Sequence, residues 1–109
     1  MKNFEYSFSD SDIKTLLCTL SVMPLVRPGG VSGVQQSIND SCRASAIEKL
    51  TTAHTDFHPD EIRVMSASLI LSDMILKGDI EAYSEIKKML SPYTFSINRL
   101  LPIFISIFD

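Results

Sequence analysis

Residues 59–78 (PDEIRVMSASLILSDMILKG) constrain the fold most, because they contain both the start and the stop signals of a helix. Pro59 suits the first helical position, and the two acidic residues after it favour the positive end of the helix dipole. Gly78 can adopt the left-handed conformation that ends a helix. The sequence therefore predicts a helix from Pro59 to Lys77.

The apolar side chains of this helix lie on two sides. One arc contains Ile62, Met65, Leu69 and Leu76, and the nearly opposite arc contains Val64, Leu71 and Ile75. A helix that is apolar on two sides is usually packed on two sides. We therefore predict an all-α fold, a compact bundle of about five helices in which this third helix is central. The length of 109 residues suits a single helical domain over residues 1–109, with residues 1–8 as a disordered N-terminus.

Four further segments carry helical periodicity or helix-starting residues. The predicted first helix runs from Ser9 to Met23, the second from Val34 to Ala53 and the fourth from Ile80 to Leu90, and a fifth begins at residues 91–92 (Ser-Pro). The terminal PIFISIFD could form a helix or a strand, and we favour a helix because a lone strand would lack a partner. Lys49 interrupts the apolar stripe of the second helix, and we expect its charge to stay in water.

Charge and composition argue against several classes of protein. The chain has a formal net charge of −3 and scattered basic residues, of which Lys87-Lys88 is the longest run. Nucleic-acid binding proteins usually concentrate positive charge, so we do not expect a nucleic-acid partner. No stretch approaches the roughly 20 apolar residues of a membrane span. Without a signal-like N-terminus, and with Cys18 and Cys42 outside any C-x-x-C motif, the sequence predicts a cytoplasmic protein with buried thiols.

The glycine-rich loop RPGGVSG, Arg27–Gly33, precedes the predicted second helix and holds three of the four glycines in the chain. Unpaired N–H groups at a helix start can bind an anion, and an arginine would add charge. The candidate anion-binding residues are Arg27, Gly29, Gly30 and Gly33. The loop lacks the lysine and the preceding strand of a nucleotide-binding loop, so we interpret it first as a turn.

The stretch HTDFHPDE, which contains the His54–His58 turn, holds two histidines and three carboxylates in eight residues. Because Pro59 starts a new helix, we do not expect both histidines to share one helix face, and no distant histidine or cysteine cluster would complete a zinc site. We therefore predict a solvated polar turn and no cofactor or metal. Asp73 lies among apolar residues, but no acid or base is placed to work with it, so we identify no catalytic residue.

The apolar C-terminal segment is the remaining candidate site. Such a segment either completes its own core or docks against a second copy of the chain. Its candidate interface residues are Leu101, Ile103, Phe104, Ile107 and Phe108.

The sequence thus favours a small non-enzymatic interaction or regulatory module that self-associates, as a homodimer, through this C-terminal segment. One alternative is a ligand- or anion-binding protein or enzyme that uses the Arg27–Gly33 loop with the His54–His58 turn. A further alternative is a helical DNA-binding regulator, in which the fourth and fifth helices form a helix-turn-helix and Lys87, Lys88 and Arg99 face the phosphates.

Overall fold

The computed structural model describes residues 4–5, 7–25, 33–79 and 84–107 of the chain. The α-helices are α1 (Asp10–Val22), α2 (Gly33–Thr51), α3 (Pro59–Lys77), α4 (Ser84–Leu90) and α5 (Thr94–Ile107). Two short 3₁₀ turns, Met23–Leu25 and Ser91–Tyr93, follow α1 and α4. The prediction of an all-α bundle is confirmed. The C-terminal segment is helical through Pro102 as far as Ile107, as favoured from the sequence.

The predicted count of about five helices needs a correction. α4 leads directly into α5 through the 3₁₀ turn Ser91–Tyr93, so the described chain forms four helical elements rather than five. The physical reason is the position of Pro92 in the first turn, where its missing N–H costs no hydrogen bond and the helical path continues. Residues 80–83, which belong to the predicted fourth helix, lie outside the described residues.

The ends of α3 coincide with the predicted ones because local signals set both. His58 caps the start: its side chain accepts a hydrogen bond from the Asp60 N–H, and the Glu61 carboxylate accepts one from the His58 N–H. This reciprocal arrangement is a capping box. Gly78 ends the helix with φ of 82°, a left-handed conformation that a side chain would disfavour.

α3 is the central element, in contact with α1, α2, α4 and α5. Leu69 from one predicted arc and Leu71 and Ile75 from the other are all buried. Packing on two sides of α3 is therefore confirmed. α1 and α5 make the most extensive contacts with α3, and α2 covers a further part of its surface.

A minimal antiparallel pairing joins β1 (Phe4–Glu5) to β2 (Asp56–Phe57), with Phe4 opposite Phe57. No sequence pattern indicated this pairing, and it brings part of the segment 1–8 onto the fold. Phe57 is fully buried, and the ring of Phe8 lies edge-on to it with 5.7 Å between centroids. The segment before α1 thus contributes an aromatic side chain to the packing around β2.

Candidate functional site

α5 has a buried face and an exposed face, and both are rich in apolar side chains. Ile97, Leu100 and Phe104 point into the core. On the outer side, Phe95 is 79 % exposed and Ile105 is 45 % exposed. A soluble domain normally carries single apolar residues at its surface, so two on one short helix mark this face as a candidate interface.

Seven of the described side chains of α5 are exposed, and four of them follow a regular spacing; the other three are Thr94, Arg99 and Ser106. Phe95, Asn98, Pro102 and Ile105 are all exposed, at intervals of three, four and three residues. We call these four residues the α5 row. This is the spacing of one seam of a helix pair, in which side chains three and four positions apart line up along one side. The row therefore has the spacing of a helix-pairing seam.

The structure divides the predicted interface residues. Phe104 is 1 % exposed and belongs to the core, while Leu101 and Ile103 are half-buried at the edges of α5. Ile107 ends α5, but its side chain lies outside the described part of the chain, as does the whole of Phe108. Phe95 and Ile105, the two most exposed apolar residues among the described side chains of α5, are absent from the predicted set. Spacing alone could not have found them, because the buried residues Ile97, Leu100 and Phe104 also follow intervals of three and four.

Phe104 anchors the inner face of α5 in the core of its own chain. Its ring stacks on Phe8 with 5.9 Å between centroids, and Phe8 in turn contacts Phe57. Three aromatic rings from the N-terminal segment, β2 and α5 therefore pack together, and such contacts add to simple burial. The inner face of α5 is thus occupied, and only the outer face is available to a partner.

The one charged residue of α5 is neutralised inside the chain. Arg99 forms an ion pair with the buried carboxylate of Asp12 on α1. This pair ties the middle of α5 to the first turns of α1. Since α5 contains no other charged residue, its outer face presents no uncompensated charge.

A second polar cluster surrounds the buried carboxylate of Glu61, at the start of α3. One oxygen accepts hydrogen bonds from Lys49 Nζ at 2.7 Å and from the His58 N–H at 2.7 Å, and the other accepts one from the Ser45 hydroxyl. Lys49 Nζ also lies 5.9 Å from the centroid of the Phe57 ring. Lys49, whose charge was expected to stay in water, pairs its ammonium with Glu61, and its side chain remains 26 % exposed.

Glu61 itself was expected in a solvated turn, yet it is 4 % exposed. Burial by itself would raise the pKa of Glu61, but the hydrogen bonds from Lys49, Ser45 and His58 outweigh it and hold the pKa below its usual range. The carboxylate is thus stably ionised and fully engaged. A group of this kind joins α2 to the start of α3 and is a poor proton acceptor for catalysis.

Shallow depressions lie between α2 and α3. One, of about 330 Å³, is lined by Ser41, Cys42, Lys49 and His58 among others, and an adjoining one of about 420 Å³ reaches Met23 and Val64. Burial raises the pKa of the Cys42 thiol, and the nearby carboxylates raise it further. A thiol of this kind is a weak nucleophile at neutral pH. These depressions are therefore concave surfaces whose cysteine is not activated as a nucleophile.

The other predicted sites lie apart from α5. Arg27, Gly29 and Gly30 fall outside the described residues, and Gly33 is the first residue of α2. His54 and His58 are both exposed; the former bonds Thr52 and the latter caps α3.

Within the residues that the structure describes, no three histidine, cysteine or acidic side chains are grouped to hold a metal ion. Asp73 is paired with Lys77 one turn along α3, at 2.9 Å between Oδ2 and Nζ.

The described helices include none with both the length and the apolar character needed to cross a membrane. Comparison of the chain with known protein families, with curated proteins and with solved structures finds no match.

Proposed function

We propose that this chain is a small non-enzymatic interaction module that pairs with a second copy of itself through the α5 row. The observation that carries the proposal is the exposure of Phe95, a large aromatic side chain that is 79 % accessible on an ordered helix. Aromatic side chains are enriched where proteins associate, because they bury much apolar area with few rotatable bonds. Ile105 extends the same surface by almost three helical turns.

The distribution of exposed apolar residues supports α5 over other surfaces. In the described part of the chain, Leu25, Ile38, Ile70 and Met89 are also exposed, but each lies on a different helix or turn. α5 carries two such residues on one face. Apolar residues that share one face distinguish an association surface better than a scattered set does, and Phe95 and Ile105 share the outer face of α5.

Charge supports a second copy as the partner. A two-fold axis brings each surface against its own equivalent, so a charged face repels itself across such an axis. The α5 row contains no charged residue, and the adjacent Arg99 is compensated by Asp12 within the chain. The internal pairing lowers the electrostatic cost of bringing this face against its own copy, although the Arg99 side chain is 43 % exposed.

The length of the α5 row limits how tightly two copies can associate. It spans about 15 Å, since ten residues rise at about 1.5 Å each. A stable interface buries on the order of 800 Å² on each partner, which is more than one strip of this length supplies. We therefore expect a weak, concentration-dependent dimer with a dissociation constant on the order of 10–1000 μM.

The alternatives have less support. An enzyme or metal-dependent protein would need a reactive cluster, whereas Glu61, Lys49 and Ser45 are bonded to one another in a helix-start network. A DNA-binding role would rest on Lys87 and Lys88, because the third cation of that set, Arg99, is paired with Asp12. Both cysteines are free thiols, which supports the proposed cytoplasmic location.

Light scattering after size exclusion tests the proposal on the full chain. We expect the weight-average mass to rise from that of one chain towards that of two as the concentration approaches about 1 mM. Ile105→Lys should keep the protein monomeric, because it replaces an apolar contact with a charge that association would have to desolvate without a partner. Ile70→Lys is the matched control, since Ile70 is 43 % exposed against 45 % for Ile105 but lies on α3.

Two results would count against self-association through α5. A wild-type chain that stays monomeric over the whole concentration range would contradict self-association. If Ile70→Lys and Ile105→Lys weakened the dimer equally, the interface would not lie specifically on α5.

A further inference from the structure

We infer that the two copies pair their α5 helices antiparallel about a two-fold axis near residue 100, so that Phe95 of each copy packs against Ile105 of the other. This inference rests on the proposed function and deepens it, because it fixes the orientation and register of the partner. The starting observation is that the α5 row is exposed at four positions with a spacing of three, four and three residues.

The intervals of three, four and three residues are the same in both directions along the helix. In an antiparallel pair centred on residue 100, position 95 of one copy lies opposite position 105 of the other, and position 98 lies opposite position 102. Any other antiparallel register leaves at least one of the four side chains without a partner from the row. Register in helix pairs is set by this kind of matching along the seam. The register centred on residue 100 is therefore the antiparallel one that uses the whole exposed row.

The unequal ends of the row favour antiparallel over parallel pairing. Phe95, at one end, is large and 79 % exposed, whereas Ile105, at the other end, is smaller and 45 % exposed. A parallel pair would oppose two protruding phenylalanines and hold the isoleucine ends apart. An antiparallel pair opposes large with small at both ends, which gives even packing along the seam. Opposed helix dipoles favour the same orientation.

The centre of the row is polar, and the register centred on residue 100 places these polar groups beside the two-fold axis. Pro102 has no N–H, so the carbonyl oxygen of Asn98 lacks the hydrogen bond that position 102 would normally supply. The Asn98 side chain is exposed and carries two amide donors. About a two-fold axis near residue 100, both Asn98 residues lie beside the axis, between the apolar ends. A polar residue in this position specifies register.

Nuclear Overhauser effects in the wild-type chain test this arrangement directly. In one copy, Phe95 and Ile105 lie about 15 Å apart along α5, too far for contact between ring and methyl protons. A sample that mixes isotope-labelled and unlabelled chains should nevertheless show an effect between the Phe95 ring of one copy and the Ile105 methyl groups of the other. Dilution should remove the effect as the dimer dissociates.

Disulfide trapping gives a second, independent measurement. In a Cys18→Ser, Cys42→Ala background, we expect a mixture of Phe95→Cys and Ile105→Cys chains to yield mainly the mixed disulfide dimer. Each variant alone should yield much less, and Ile70→Cys mixed with Ile105→Cys serves as the control. Nuclear Overhauser effects between the Phe95 rings of the two copies, together with disulfides that join position 95 of one copy to position 95 of the other, would overturn antiparallel pairing. Self-association itself would still stand. A chain that is monomeric at every concentration would overturn both proposals.

Discussion

Replacing Phe104 with alanine is expected to lower the free energy of unfolding by about 3–5 kcal/mol, the range for truncating a buried phenylalanine. The side chain is 1 % exposed, and its ring stacks on Phe8. The truncation therefore removes apolar burial and leaves a cavity between α5 and the segment before α1. Urea unfolding followed by circular dichroism gives the free energy, at a concentration low enough to keep the chain monomeric.

Phe95→Ala on the same helix is the matched control, because it deletes the same atoms from a ring that is 79 % exposed. We expect it to change the free energy of unfolding of the monomer by no more than about 0.5 kcal/mol. The same variant should weaken the dimer. If the two alanine variants lost equal stability, the division of α5 into a core face and an outer face would be incorrect.

Both ends of α3 could be predicted from the sequence because the responsible signals are local. Pro59 and the acidic first turn mark the start, and Gly78 supplies the left-handed conformation at the end. The two apolar arcs also indicated central packing, since a helix needs a neighbour for each apolar side. Local sequence signals were therefore sufficient to predict the bounds of α3.

The exposed face of α5 could not be identified by hydrophobicity alone. The helix is apolar nearly all round, so the predicted interface included Phe104, which the structure places in the core, and omitted Phe95. The face that turns inward depends on Phe8 and Phe57, which are distant in the sequence. The two-residue pairing of β1 with β2 is likewise too short to produce a periodic pattern.

The role of Glu61 also depends on contacts between distant parts of the sequence, which local patterns do not predict. Its position three residues after His58 fits a capping box, which is a local pattern. Its burial depends instead on α2, which brings Ser45 and Lys49 over the start of α3. The sequence thus indicated where the carboxylate lies along the helix, while the partners that keep it ionised follow from the packing of two helices.

Glu61→Gln is expected to lower the free energy of unfolding at pH 7 by about 1–3 kcal/mol. The amide keeps the size of the side chain and can still accept hydrogen bonds, but Lys49 then loses its opposite charge. We place the loss below the value for a fully buried pair because the Lys49 side chain is 26 % exposed. Glu48→Gln, at the exposed neighbour of Lys49 on α2, is the control and should leave stability almost unchanged.

The pH dependence of this loss separates charge from packing. Because the pKa of Glu61 is lower in the folded chain than in the unfolded chain, its ionised form stabilises the fold above the unfolded pKa. That contribution disappears as the pH falls through the folded pKa, whereas glutamine does not titrate. The gap in unfolding free energy between wild type and Glu61→Gln should therefore narrow between about pH 5 and pH 3. A gap that stays constant across this range would show that the carboxylate acts through packing and not through its charge.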